Sequence, residues 1–175
     1  MPKPRLLYID ATFLTRIGGD MNRSRFIWRS LSDAYDSDLL LVRRKDDTDE
    51  DIKQHEGEHQ LTVLEGQENG GLLPKSVYRF SQEALAIFRK LLRKNQYDYI
   101  FLRAVSPGLL AFEAEQASPQ SKIVVDSDLV FSQFTKGYWQ KDRSFSNRFF
   151  LFESLRFRRF ERKLYRRPYL FLLAN

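Results

Sequence analysis

Five runs of the sequence are apolar at every position: Leu6-Leu7-Tyr8-Ile9, Leu39-Leu40-Leu41-Val42, Tyr99-Ile100-Phe101-Leu102, Ile123-Val124-Val125 and Tyr169-Leu170-Phe171-Leu172-Leu173. Each is too short for an ordinary helix and lacks any polar alternation, the pattern of a strand buried on both faces. Such strands belong in a parallel sheet, because crossover helices are what cover both of its faces. Four of the runs stop on a charged residue: Asp10, Arg43, Arg103 and Asp126. In an open parallel sheet, ligands bind beyond the carboxyl ends of the strands, so the loops that begin at those four residues are the ones to read for function.

The intervening segments carry helical spacing. After Asp20, the residues Ile27, Leu31, Ala34 and Tyr35 recur on one face. Phe80, Ala84, Leu85, Phe88, Leu91 and Leu92 mark a second helix. Pro107 suits the first residue of a third, with Ser106 as its N-cap, running to about Gln116. A fourth covers roughly Ser146 to Arg167, before Pro168 breaks it. Asp46 to His59 is acidic and polar and reads as a mobile loop, followed by a short strand over Leu61 to Leu64 and a turn at Asn69-Gly70-Gly71. The order predicts an α/β fold, a Rossmann-like doubly wound, mostly parallel sheet with helices on both faces. The chain of 175 residues is expected to form one such domain over its whole length.

Composition narrows the chemistry. There is no cysteine, which excludes disulfides and thiolate metal sites and suits a reducing, cytoplasmic location. No run approaches the ~18 apolar residues of a membrane span, and MPKPRLLYID has neither the apolar region nor the cleavage site of a signal peptide. The net charge of +6 is concentrated: Lys136 to Arg167 holds eleven Lys and Arg against three Asp and Glu, while the rest of the chain is slightly acidic. A basic partner surface therefore lies in that segment.

Several residues are candidates for a site. Gly18-Gly19 stands directly before the first helix, where backbone N–H groups can approach an anion at the positive helix end, and Arg23 follows within that helix. Asp126 and Asp128 flank Ser127 at a strand's carboxyl end, where they suit acid/base work, the orientation of a hydroxylated ligand, or the capping of a following helix. Arg43, Arg44 and Lys45 suit the 2′-phosphate of NADP, but the Gly-x-Gly-x-x-Gly turn of a nicotinamide enzyme is missing. His55 and His59 have the four-residue spacing of metal ligands, within a polar, Gly-containing stretch that reads better as an exposed loop, so no metal and no cofactor is expected. In the last helix, Phe149, Phe150, Phe157, Phe160 and Leu164 share one arc, with Arg158, Arg162 and Arg166 in a row on the other side. Glu153 falls in the apolar arc, and Leu151 and Leu155 fall in the basic one. A crossover helix, an anionic membrane contact and a nucleic-acid contact all fit this helix; nucleic acid is the least expected of the three.

The order of these motifs resembles a known family. Tyr8-Ile9-Asp10, then Gly18-Gly19 with Arg23 and Arg25, then Tyr97 to Arg103, then Lys122 to Asp128, and finally Phe160 to Tyr165 leading into Leu170 to Asn175, look like the amino-terminal lobe of a group 1 (family 4) retaining glycosyltransferase. The resemblance implies a GT-B architecture of two Rossmann-like lobes, of which residues 1–175 are the first and the donor-binding lobe is absent. It implies sugar transfer from a nucleotide sugar to a glycan or lipid-linked acceptor, with this lobe on the acceptor side and inactive alone. By the same resemblance Gly18, Gly19 and Arg23 line the cleft near the donor diphosphate or the acceptor, Asp126 and Asp128 stand at the cleft floor, and Asp126, Asp128 and Arg103 are the candidate catalytic residues. Arg103 takes a place where many relatives have His. The expected partners are the nucleotide sugar, held by the other lobe, the acceptor, and an anionic membrane surface reached through Arg158, Arg162 and Arg166, on the inner membrane face. The alternative is a non-catalytic Rossmann-like module that binds an NADP-type nucleotide.

Overall fold

The computed structural model describes residues 2–11, 19–45, 47–55, 60–67, 72–127 and 130–173. The apolar runs form β1 (Arg5–Asp10), β2 (Asp36–Arg43), β3 (Leu61–Glu65), β4 (Tyr99–Arg103), β5 (Lys122–Ser127) and β6 (Leu170–Leu173). They make one six-stranded sheet in the order β3-β2-β1-β4-β5-β6, every pair parallel. The fold is the expected α/β, Rossmann-like doubly wound one. The chain winds outward from β1 to β3 and then returns to the other side of β1, so the switch point lies between β1 and β4.

The helices are α1 (Gly19–Ala34), α2 (Asp49–Lys53), α3 (Gln82–Asn95), α4 (Leu109–Ala117), α5 (Phe131–Lys141) and α6 (Arg148–Tyr165), with a 3-10 turn at Phe145–Asn147. One sheet face packs Leu7, Ile9, Leu40, Ile100, Leu102 and Val125 beneath α3, α4 and α6. The other packs Leu6, Tyr8, Leu39, Leu41 and Phe101 against Trp28 of α1, with Ile52 of α2 at the margin. Among the described residues no helix covers β6 on this second face, where Leu170 and Leu172 stand exposed.

Four expectations are corrected. The loop after β2 contains α2, started by a capping box in which Thr48 Oγ1 accepts from the Asp51 amide at 3.3 Å and the Asp51 carboxylate accepts from the Thr48 amide at 2.9 Å. The inward face of α1 is centred on Ser24 and Trp28, with Ile27 and Leu31 at its border and Ala34 exposed. Helix α4 begins at Leu109, because Pro107 and Gly108 close a tight turn first, the Gly108 amide donating to the Val105 carbonyl at 2.9 Å. The stretch between β5 and the helix expected over Ser146 to Arg167, given no element in the sequence, holds α5; the expected helix is α6, and the two form a hairpin. The turn at Asn69-Gly70-Gly71 lies outside the described residues.

The amino edge of the sheet is tied by a buried polar cluster. Asp38, inside β2, accepts from the Tyr97 hydroxyl at 2.5 Å, from Asn95 Nδ2 at 3.2 Å and from Arg5 Nη2 at 3.2 Å. Gln96 ends α3 in the left-handed region at φ 48°, which turns the chain into Tyr97. These bonds join β1, β2 and the end of α3, away from the carboxyl edge.

Candidate functional site

Three central strands end on ionisable side chains, and the register sets them in one row. Ile9 pairs with Leu102, so Asp10 and Arg103 are the next residues on β1 and β4, and Arg103 pairs with Asp126 on β5. All three lie on the face that α1 covers, since side chains alternate along a strand and Tyr8, Phe101 and Val124 pack there. Asp126 is 0% exposed, and Asp10 and Arg103 are each 1% exposed. Charges taken that far from water persist only when paired. Arg103 Nε lies 3.5 Å from Asp126 Oδ2. From α1, Arg23 grips the same carboxylate with two nitrogens, Nη2 to Oδ1 at 2.7 Å and Nε to Oδ2 at 3.4 Å. Two carboxylates and two guanidiniums thus balance at the switch point.

The members differ in access. The Arg23 side chain is 38% exposed, whereas Arg103 and Asp126 are sealed beneath it. Asp126 belongs to β5, and its carboxylate turns to Arg23 and Arg103, so it does not cap α5, whose N-cap residue is Val130. With both oxygens engaged by arginine, Asp126 fixes the Arg23 guanidinium at the mouth of the row.

Tyr8 extends the row inward. Its hydroxyl lies 3.3 Å from Asp10 Oδ2 and 3.3 Å from the Ser24 carbonyl. Burial holds the phenol well above its ordinary pKa; the Asp10 charge adds to this and the Arg103 charge opposes it. The backbone just past Arg103 is strained: Ala104 has φ 65°, and its amide donates to the Asp126 carbonyl at 2.8 Å. A left-handed alanine at the end of a central strand is a conformation held by its surroundings, of the kind that gathers at binding sites.

Of the candidates from the sequence, Asp126, Arg103 and Arg23 come together. Gly19 is the first residue of α1, four positions before Arg23. Gly18 and Asp128 lie outside the described residues. Arg43 is occupied by Asp49 at 2.9 Å and Arg44 by the buried Asp47 at 3.3 Å, so these two arginines are committed to their own loop, while Lys45 is exposed. His55 is half-buried, its pKa lowered by burial and raised in part by Asp51, and His59 lies outside the described residues. Arg158, Arg162 and Arg166 are exposed on α6, away from the row. Sequence reading missed Tyr8, Asp10 and Ala104 as site residues. A signal existed for Asp10: it ends a wholly apolar strand, as Arg103 and Asp126 do.

No protein-family profile and no curated protein matches the sequence. Among solved structures, a Listeria monocytogenes protein assigned as a UDP-N-acetylglucosamine 2-epimerase is similar over 86% of this chain and 37% of its own, with 12% identity and a TM-score of 0.45. UGT89C1 of Arabidopsis thaliana, in complex with UDP, is similar over 82% of this chain and 38% of its own, with 15% identity and a TM-score of 0.36. The chain spans less than two-fifths of either structure.

Proposed function

We propose that the chain is the acceptor-side lobe of a two-lobed glycosyltransferase, which moves a sugar from a nucleotide sugar to a glycan or lipid-linked acceptor. The observation that carries this reading is the Arg23 guanidinium, fixed by a fully buried carboxylate at the switch point and half open to solvent. A cation there, on the first turns of a helix that starts at Gly19, favours a ligand bearing phosphate or dense hydroxyl groups. In this reading Arg23 contacts the ligand, Asp126 and Arg103 position that guanidinium, and Gly18, Gly19 and Asp128 belong to the same cleft. The nucleotide sugar is held by a second lobe. Holding the acceptor hydroxyl in line with that donor is the work of the cleft, and orientation of this kind lowers a barrier without new chemistry in the first lobe. The row of arginines on α6 adds a weak attraction to an anionic membrane, on the order of 1 kcal/mol for each cation near the surface.

Ligand-observed NMR on the chain tests the acceptor site. Oligosaccharides and polyprenyl-phosphate sugars should give saturation transfer that Arg23→Ala removes, and the chain alone should turn over no nucleotide sugar. Transfer by the purified chain would overturn the two-lobed reading. A saturation signal from NADPH alone would turn the site over to nicotinamide chemistry.

A further inference from the structure

The hairpin of α5 and α6 overhangs the carboxyl edge of the sheet. Tyr165, at the end of α6, reaches Ser127 at the end of β5, the two hydroxyls 3.5 Å apart. Phe160 meets Phe112 of α4 and lies under Gly108, just past the end of β4. At 1.5 Å per residue, the part of α6 that precedes Phe160 runs about 18 Å farther out. Helix α5 runs beside it, from Phe131 stacked on Phe157 to Tyr138 stacked on Phe150. The far end of this hairpin lies on the side where the row of Asp10, Arg103 and Asp126 opens.

That end is aromatic and exposed. Phe134, Tyr138, Phe150 and Phe149 form a continuous chain of ring contacts, with centroids 5.0, 5.3 and 5.8 Å apart. Phe145, in the turn, is 79% exposed with Arg148 stacked over its ring, and Phe152 is 59% exposed. The outward stripe of α6 then changes character along its length: Phe152 and Leu155 come first, Arg159, Arg162 and Arg166 follow. The stripe is rotated from the row read in the sequence, so that Arg158 sits at its flank, in a concavity with Lys136 and Ser132.

Two of the three acids of the hairpin are withdrawn from this surface, and the third, Asp142, is exposed in the turn. Glu153 is buried, accepting from the Lys75 amide at 2.8 Å and from Arg156 at 2.7 Å. Glu161 is buried against the Ser132 amide at 3.3 Å. Asp142 is used inside the turn, by the Ser144 amide at 2.9 Å and Asn147 Nδ2 at 2.8 Å. Arg159, Arg162 and Arg166 have no ion pair among the described residues.

We propose that the tip of the α5–α6 hairpin inserts its aromatic rings into the interface of an anionic phospholipid bilayer, with the arginines of α6 lying on the headgroups. Unpaired cations repel one another and gain from an array of phosphates. Exposed aromatic rings beside them gain from the boundary between headgroups and acyl chains, which charge alone does not explain. The orientation faces the carboxyl edge of the sheet toward the bilayer. This rests on the membrane contact proposed above and adds a hydrophobic anchor to it, so the two can fail separately.

The experiment is co-sedimentation of the chain with vesicles of phosphatidylcholine alone and mixed with phosphatidylglycerol, at low and high salt, beside the variants Phe149→Ser/Phe152→Ser and Arg159→Glu/Arg162→Glu/Arg166→Glu. A Phe145→Trp reporter is read in parallel by quenching with brominated lipids. The wild type should keep part of its binding at high salt. The phenylalanine variant should lose at least about tenfold in partitioning and all of its salt-resistant binding. The arginine variant should bind weakly to acidic vesicles at any salt. Complete release of the wild type by salt, an unchanged phenylalanine variant, or an unquenched Trp at position 145 would each overturn insertion while leaving electrostatic docking in place. A wild type that ignores acidic vesicles at low salt, or that single-stranded RNA strips from them at equal charge, would overturn the membrane contact itself.

Discussion

Asp126 holds two arginines, and its replacement takes a buried counter-ion from one of them. With the carboxylate gone, Arg103 keeps its charge in a site 1% exposed and loses its 3.5 Å counter-ion. Breaking a buried pair from one side costs ~3–5 kcal/mol, because the surviving charge stays desolvated. Asp126→Ala should therefore lower the urea midpoint sharply. Asp126→Ala/Arg103→Met should recover most of the loss, since it removes both members of the buried pair. A double variant no more stable than the single one would show that Arg103 is held by something other than Asp126. The same residues mark how far the sequence could be read. Arg103, Asp126 and Arg23 were each legible as charges at strand ends or near a helix start. Their convergence was not, because it depends on the register that sets Arg103 opposite Asp126. Nor was Ala104 legible: alanine carries no sign of a left-handed backbone, and only its neighbours impose φ 65°.

Helix α4 approaches α6 so closely at its first turn that only glycine fits. A Cβ on Gly108 would lie 2.8 Å from the Val105 carbonyl oxygen and 3.1 Å from Phe160 Cζ. The ring can move, but the carbonyl belongs to the turn that starts the helix. Gly108→Ala should therefore cost ~1–3 kcal/mol as overpacking, measured by thermal unfolding, and Phe160→Leu in the same chain should not restore it. Full restoration would place the clash at the ring alone. Periodicity found α3 because its stripe is strong: Ala84, Phe88, Leu91 and Leu92 are all buried. It missed α5, whose aromatics Phe134 and Tyr138 face outward while Ser132 is buried, the reverse of the usual pattern. On α6 the buried Glu153, Ser154 and Glu161 blur the apolar arc. Glu161 and Ser154 serve the α5–α6 contact through Ser132, and Glu153 accepts from the Lys75 amide, demands that no scale of hydrophobicity registers.

At the scale of the whole molecule, folding withholds four of the eight tyrosines from ionisation. Tyr8, Tyr97, Tyr165 and Tyr169 all have raised pKa values, each caused first by burial. Raised values in the folded state mean that their contribution to stability is intact below the ordinary tyrosine value near 10 and fades as pH climbs toward the folded values. A spectrophotometric titration at alkaline pH should show a late phase from these four that coincides with loss of the near-ultraviolet circular dichroism. A single phase at the ordinary value would contradict this. The fold class itself was legible because strands buried on both faces leave a continuous apolar signature; the strand order was not, because the handedness of a crossover does not say which strands become neighbours. That order also has a cost in time. β1 sits near the middle of the sheet, flanked by β2 and β4, and the Arg5 amide donates to a carboxylate 93 residues further along the chain. At ~5–20 residues per second a ribosome needs roughly 5–20 s to deliver that second neighbour. Through that interval a central strand of the nascent chain has one open edge, which makes its solubility during synthesis a matter of what shelters that edge until β4 arrives.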